Sequence, residues 1–388
     1  MARPSALALV RLAHRHPRYL ENLLTRKLRF AARYRWLEKH PESDDDVPPP
    51  LVYKLVLTYR CNLRCSMCYE WGDSGWCKQE SSDHAKRELA WSSIEKIFNE
   101  HRTEKPSFIL IGGEPLLYAH WRKLALKMRE ERCFAITCTN GTRIDQHLDA
   151  YEENPYLTFL VSLDGPQSIN DKIRGKGTFD RVVANISRLK ALKKPPYVGI
   201  QLTLRPENVA FLFEFCQEMV KLKVDWVLIN PTWFVSEPQA RQYERFMQEK
   251  FQVKAKSHLG YLAPYDLDLD EFEKQYARIL AARWPIQISC YLKEPSEIRT
   301  FVNTPEVPPA NRFCYKQWVR MDVTPEGKVS PCILYPDLEF GDLSVQSPME
   351  IWNSPAYAHF RKVRRDEVLP VCSKCDALYL YDAKRKTL

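Results

Sequence analysis

The sequence predicts an α/β fold, a parallel sheet assembled from βα units as in β/α barrels, and three observations predict it. Six short segments rich in β-branched and aromatic residues recur, at 53–58, 107–111, 134–139, 157–163, 197–204 and 226–230. Stretches with helical apolar spacing separate them, at 91–102, 121–130, 179–192 and 208–221, and strands alternating with helices read as parallel βα units. Most strand segments end in a small or polar cluster, and in such barrels the chemistry sits in the loops at the C-terminal ends of the strands.

From the N-terminus, residues 1–50 read as a basic helical arm and linker. The chain of 388 residues carries a net charge of +9, and the charge is concentrated: residues 1–40 hold ten Lys or Arg against Glu21 and Glu38, so the arm carries +8 and the remainder +1. Leu20, Leu23, Leu24, Leu28, Ala31 and Ala32 fall near one helical face with arginines around them. A basic amphipathic helix lies on an anionic membrane surface, docks an acidic partner, or packs on its own protein. Tyr19, Phe30, Tyr34 and Trp36 make no stacking module, so nucleic acid is not an expected partner. Residues 41–50, with Asp44-Asp45-Asp46 and Pro48-Pro49-Pro50, read as a linker.

The barrel core is expected over residues 51–235. After its first strand come Cys61, Cys65 and Cys68, three thiolates at one turn where a complete tetrahedral metal site takes four. Three thiolates suit a [4Fe-4S] cluster whose fourth iron stays open, since cluster irons are held by Cys. Zinc, with Cys77 as a fourth ligand, is the alternative left open by the spacing alone. Gly112-Gly113-Glu114-Pro115 follows the second strand, Thr139-Asn140-Gly141 the third, and Ser162-Leu163-Asp164-Gly165-Pro166 ends the fourth, so four loops converge on one rim. Asn140 and Asp164, beside Gly141 and Gly165, serve equally well as turn formers.

This combination resembles the radical S-adenosylmethionine (radical SAM) superfamily, in the branch with a C-terminal auxiliary-cluster domain of SPASM or twitch type. The resemblance covers about residues 51–382 and rests on the three motifs above together with Arg174 and Gly177-Thr178-Phe179. It implies a partial (β/α)6 TIM-type barrel in which Cys61, Cys65 and Cys68 hold the cluster and its fourth iron chelates the amino and carboxylate groups of S-adenosylmethionine. Gly112 and Gly113, followed by Pro115, let backbone approach the methionine ammonium, and Glu114 fixes that loop or accepts from the ammonium. Ser162 and Arg174 match cofactor-contacting positions, Arg being a suitable fork for a carboxylate; Asn140 and Asp164 shape the rim or reach the ribose. The family usually has an aromatic residue before the third Cys. This chain has Met67, which leaves cluster binding intact and weakens the case for an adenine contact there.

The implied chemistry belongs largely to the cofactor. An electron, from a donor such as flavodoxin or ferredoxin, reductively cleaves S-adenosylmethionine, and the resulting 5′-deoxyadenosyl radical takes a hydrogen atom from an unactivated carbon. No acid or base is needed for that step, and no catalytic His or carboxylate pair is nominated.

Residues 236–309 are expected as an insertion or linker and 310–388 as a second module. Cys314, Cys332, Cys372 and Cys375 suit structural zinc or a second cluster equally by composition. The order Cys-x12-Gly-x4-Cys, Gly341-Asp342-Leu343, Ile351-Trp352-Asn353-Ser354 and a closing Cys-x2-Cys resembles an auxiliary [4Fe-4S] domain, with ligands for one cluster in the shorter twitch-like arrangement. Whether that cluster accepts an electron or stabilises the domain is not decided at this level. Cys133, Cys138 and Cys216 read as core residues. Cys77 and Cys290, in irregular segments, are candidate hydrogen-atom donors. The loops at 69–90 and 232–298, with Trp71, Trp76, Trp233, Phe234, Tyr261 and Tyr265, either wall a substrate or pack on themselves.

Twelve cysteines without a signal peptide point to a reducing cytoplasm and metal ligation rather than disulfides, and no apolar stretch is long enough to span a bilayer. The expected function is oxidation or epimerisation of a small polar, sugar- or cyclitol-like metabolite. The alternative is modification of a ribosomal precursor peptide, for which about fifty residues before the barrel leave little room for a complete leader-binding domain. A zinc-stabilised binding or scaffold protein is the reading from another class, and the Gly112-Gly113-Glu114-Pro115 loop argues against it.

Overall fold

The computed structural model describes residues 12–78, 83–263, 265–292, 294–309 and 312–380. Strands β1 (Val52–Val56), β2 (Ser107–Ile111), β3 (Ala135–Thr139), β4 (Leu157–Ser162), β5 (Tyr197–Leu204) and β6 (Trp226–Pro231) lie side by side in sequence order, each parallel to the next. Helices Trp91–Glu100, Trp121–Glu130, Thr178–Lys190 and Leu212–Lys221 fall between them in the chain and bury apolar faces such as Ile94, Ile97 and Phe98 of the first. These units form the expected partial (β/α)6 barrel.

The sheet continues past both edges of the six-strand core. Beside β6 lies β7 (Gln287–Cys290), and beside β1 lies β8 (Arg320–Val323), both parallel; β9 (Lys328–Ser330) and β10 (Gly341–Asp342) then add antiparallel strands. The ten-strand order is β10-β9-β8-β1-β2-β3-β4-β5-β6-β7. Successive side chains of a strand point to opposite faces, and the burial follows that period. Tyr53 and Leu55 are fully buried, with the Tyr53 hydroxyl 2.6 Å from the His101 ring, while Lys54 between them is half-buried. Ile109, Ile111, Ile136, Cys138, Gln201, Thr203, Leu228 and Asn230 are likewise half-buried at alternate positions, so the inner face borders an accessible lumen.

Residues 236–309 hold more regular structure than an insertion or linker needs. Helices Glu237–Phe251, Leu269–Ala281 and Pro295–Asn303 lie there, the first closed by a Ser236–Gln239 capping box and the second capped by Asp268. Cys290 ends β7 at 1% exposure and Cys77 is 2% exposed, so both expected hydrogen-atom donors are enclosed. The loop aromatics pack on their own protein: the Trp71 indole nitrogen donates to the Tyr59 carbonyl at 2.8 Å, and Phe234 lies 5.1 Å from Tyr265 and 6.0 Å from Phe301 between ring centroids.

The arm is a helix, Pro17–Lys39, docked across barrel and C-terminal part. Tyr19 stacks on Tyr197 at 3.8 Å, the Tyr315 hydroxyl donates to the Phe30 carbonyl at 2.6 Å, and Arg33 donates to the carbonyls of Trp318 and Pro49. The face in contact is therefore aromatic and arginine-stemmed rather than the expected leucine stripe, since long polar side chains bury their stems. Leu24 and Leu28 of that stripe are exposed; residues 1–11 of the arm lie outside the described residues. Among the described residues no helix is long and apolar enough to cross a membrane. The linker is docked too, with Val47 N–H on Asn353 Oδ1 at 3.1 Å and the Trp352 indole on the Pro48 carbonyl at 3.1 Å.

The arm's start is held by Asp225, whose oxygens lie 3.2 Å from His16 Nε2 and 2.5 Å from Lys190 Nζ. Burial alone would raise this carboxyl, but His16 and Lys190 hold it below its ordinary value. A carboxylate depressed in the folded state stabilises above its unfolded pKa, about 3.9, and the contribution disappears as pH falls through the folded value. Asp225→Asn is expected to lose about 2–3 kcal/mol at pH 7 in denaturant titrations, with the gap to the native chain closing well below pH 4.

Candidate metal centres

The rim is built by two backbone approaches and two buried carboxylates, Glu114 and Asp164. Gly113 N–H donates to the Thr58 carbonyl at 2.8 Å and Glu114 N–H to the Arg60 carbonyl at 2.7 Å, clamping the loop after β2 on the loop after β1. A Cβ at Gly112 or Gly113 would collide with the carbonyls of Thr58, Tyr59 or Arg60, so only glycine fits. Pro115 then opens a 3-10 turn capped by Glu114.

Glu114 has no exposed surface. One carboxylate oxygen accepts from Leu116 N–H at 3.0 Å and the Thr139 hydroxyl at 2.6 Å, and the other from Asn140 N–H at 2.7 Å. These bonds tie the loop after β2 to the loop after β3. Burial pushes this carboxyl up to about 6, against those three hydrogen bonds.

Asn140 and Asp164 shape the rim. Asn140 Nδ2 donates to Asn62 Oδ1 at 3.0 Å, and its Oδ1 accepts from Thr142 N–H and hydroxyl at 2.9 and 2.7 Å. Asp164, with no exposed surface, accepts from Thr203 N–H at 2.8 Å, and its other oxygen lies 2.7 Å from Arg174 Nε. That second contact is close in distance but not aligned as a hydrogen bond. Arg174 ends the helix Gln167–Arg174 and lies 3.9 Å from Cys65 Sγ. Ser162 and Met67 stand half-buried at the rim.

The first three thiols receive donors. Leu63 N–H lies 3.4 Å from Cys61 Sγ, Trp71 N–H 3.3 Å from Cys68 Sγ, and Asn140 Nδ2 3.9 Å from Cys61 Sγ. Burial pushes Cys61 up to about 12 and Cys68 up to about 11, and raises Cys65 against the pull of Arg174. Loading a metal there releases protons as thiols become thiolates. Cys77 packs with Val56, Tyr59 and Trp71 in a small apolar cluster.

The second set meets in one enclosed space. Cys314, Cys332, Cys372 and Cys375 line a single cavity with Lys316, Gln317, Arg320, Tyr335 and Arg364 among its walls. Gln317 Nε2 lies 3.9 Å from Cys314 Sγ, and Lys316 Nζ lies 3.9 Å from Cys375 Sγ and 2.8 Å from Asp376. The Tyr335 hydroxyl and Arg364 Nη2 are buried without a hydrogen-bond partner. Orphaned donors around four thiols fit an anionic group with acceptor sulfurs. Among the described residues no three His, Cys, Asp or Glu side chains are spaced around one ion. A cubane, in which each thiolate takes a different iron, does not need the sulfurs so close.

Between the two sets run three tyrosines. Tyr69, next to Cys68, stacks on Tyr261 at 4.9 Å, and Tyr261 lies 5.3 Å from Tyr335. Sequence reasoning missed Lys316, Arg320, Tyr335 and Arg364, which carry no motif, and did not foresee that Thr139 of the third rim loop anchors Glu114. It also took Cys138 for a core residue, whereas Cys138 is half-buried on the inner strand face. Lys54, which interrupts the apolar run of β1, brings a charge to that otherwise mostly neutral face.

Comparison with known proteins bears on these sites. Residues 55–211 match the model of the radical SAM superfamily, and residues 314–376 match that of SPASM, an iron-sulfur cluster-binding domain. The chain is 30% identical to Fe-coproporphyrin III synthase of Methanosarcina barkeri over 42% of this chain and 39% of that protein. It is 29% identical to mycofactocin maturase MftC of Mycolicibacterium smegmatis over 36% of this chain and 34% of that one. Both matches thus span well under half of the relative's length. The crystal structure of Streptococcus suis SuiB bound to precursor peptide SuiA shares the fold, with a TM-score of 0.59 at 15% identity over 85% of this chain and 70% of that chain.

Glu114→Gln replaces an acceptor with a donor facing three donors. It is expected to lower stability by about 1–3 kcal/mol and to reduce the iron retained after desalting. Ser162→Ala removes no scaffold bond and is expected to stay within about 0.5 kcal/mol of the native chain.

Proposed function

We propose that this chain, a radical SAM superfamily enzyme with a C-terminal SPASM iron-sulfur domain, modifies a carbon atom of a peptide held in the barrel lumen. The observation that carries the reading is the fold shared with SuiB, whose crystal structure holds a precursor peptide, and the sequence match to a maturase accompanies it. The half-buried inner face offers an accessible trough of mostly neutral side chains, compatible with an extended chain. A sugar- or cyclitol-like substrate has no support among these relatives, and the peptide alternative takes its place. The match to Fe-coproporphyrin III synthase favours one second reading, modification of a tetrapyrrole.

In this reading Cys61, Cys65 and Cys68 hold the cluster that binds S-adenosylmethionine, and Cys314, Cys332, Cys372 and Cys375 hold the auxiliary cluster. When bound, the first cluster and S-adenosylmethionine supply a 5′-deoxyadenosyl radical that takes hydrogen from carbon. The carbonyls of Gly112 and Gly113 would serve as acceptors for the cofactor's ammonium. Arg174, beside Asp164, would pair with its carboxylate, and Ser162 and Met67 would border it. Glu114 and Asn140 keep the rim loops in place without touching the reacting atoms. A flavodoxin or ferredoxin is the fitting class of electron donor.

Protein reconstituted without oxygen, incubated with S-adenosylmethionine, dithionite and the peptide fraction of cells grown on deuterated amino acids, is expected to yield deuterated 5′-deoxyadenosine. Protease digestion of that fraction is expected to abolish the label. Label that survives digestion, together with label from deuterated Fe-coproporphyrin III, would replace the peptide by a tetrapyrrole. No deoxyadenosine from any fraction would contradict both.

A further inference from the structure

We infer that the Tyr335 hydroxyl and the Lys316 ammonium are hydrogen-bond donors to the auxiliary cluster and, with the buried positive charge around it, hold its reduction potential high. This assignment rests on the reading above that Cys314, Cys332, Cys372 and Cys375 hold a cluster, and it extends the site to residues other than cysteine.

Tyr335 is 4% exposed and lines the four-thiol cavity, and its hydroxyl has no partner in the protein. A buried hydroxyl without a partner burdens the fold with its full desolvation penalty, so native proteins keep few. Arg364, 1% exposed, lines the same cavity with one terminal nitrogen equally orphaned. Two such donors around one cavity point to an acceptor that the protein takes up there. Lys316 already reaches it, with Nζ 3.9 Å from Cys375 Sγ while its charge is fixed by Asp376 at 2.8 Å.

The charges point the same way. Lys316, Arg320 and Arg364 line the cavity, and Lys54 acts on Cys332 from the lumen side. Two carboxylates answer two of these four cations: Asp376 pairs with Lys316, and Asp322 grips Arg320 through two contacts of 2.6 and 2.8 Å. The remainder is a positive surplus in a region of low dielectric, where charge acts strongly. A cluster on four thiolates is an anion and becomes more negative on reduction. Donors on its sulfurs and cations beside it therefore favour the reduced form. Such a cluster is poised to take up an electron.

The test uses the full chain with Cys61, Cys65 and Cys68 changed to Ala, so that only the auxiliary cluster is loaded, and follows its reduced signal by electron paramagnetic resonance in a mediated dithionite titration. Tyr335→Phe and Lys316→Met are each expected to lower the midpoint potential at unchanged iron content, and Lys316→Arg to restore most of it. Tyr335→Phe removes only an oxygen that bonds nothing in the protein, so its Tm is expected to hold or rise while the potential falls. A purely structural tyrosine would leave the potential where it was, and that result overturns the inference. Should Lys316→Met shed its iron, Tyr335→Phe decides alone. A host variant that takes up no iron would instead sink the ligand assignment.

Discussion

The structure depends on β1 being paired along both edges. It meets β2 in register from Val52↔Ser107 to Val56↔Ile111, and β8 from Val52↔Arg320 to Leu55↔Val323. Buried backbone groups need such partners, so the strand entering the C-terminal part is as firmly tied to β1 as the first barrel strand after it. The thiols that follow β1 and the one that follows β9 then belong to neighbouring parts of one sheet. The row Tyr69, Tyr261 and Tyr335 lies between them, the first pair of rings stacked and the second tilted.

Around that frame the two thiol sets sit in unlike electrostatic surroundings. Beside the first, Arg174 is answered by Asp164 and Arg64 donates to the Cys61 carbonyl; burial raises the thiols of both sets. The second is ringed by cations in excess of carboxylates. Clusters of one kind placed in these two settings differ in potential, since charge and hydrogen bonding to the sulfurs set it. The rim around the first set is correspondingly stiff: Glu114, Asn140 and Asp164 spend their polar atoms on neighbouring loops, which is how a site is held to its geometry by residues that do not themselves react.

Much of this was legible along the chain because its signals are local. The six barrel strands stand within about two residues of where apolar runs and turn residues predicted them, and the cysteine spacings and the Gly112-Gly113 approach are sequence facts. Strands β7 and β8 were not legible, since four residues each are too few to show a period. Nor were the partners of Glu114, Thr139 and Asn140, some 25 residues away and brought close only by the β2–β3 pairing. The arm's leucine stripe left a membrane surface, an acidic partner and packing on its own protein open; the helix docks on its own protein, with Tyr19, Phe30 and Arg33 making contacts while Leu24 and Leu28 face out.

The central claim is that one chain carries two separate iron-sulfur sites on the two thiol sets. Iron, sulfide and zinc counted per chain after anaerobic reconstitution test it most directly, in the native protein, in a Cys61, Cys65 and Cys68 to Ala variant, and in a Cys314, Cys332, Cys372 and Cys375 to Ala variant. The account predicts about eight irons in the native chain and about four in each variant, with no zinc. Zinc in place of iron at either set, or loss of all iron from both variants alike, would contradict it.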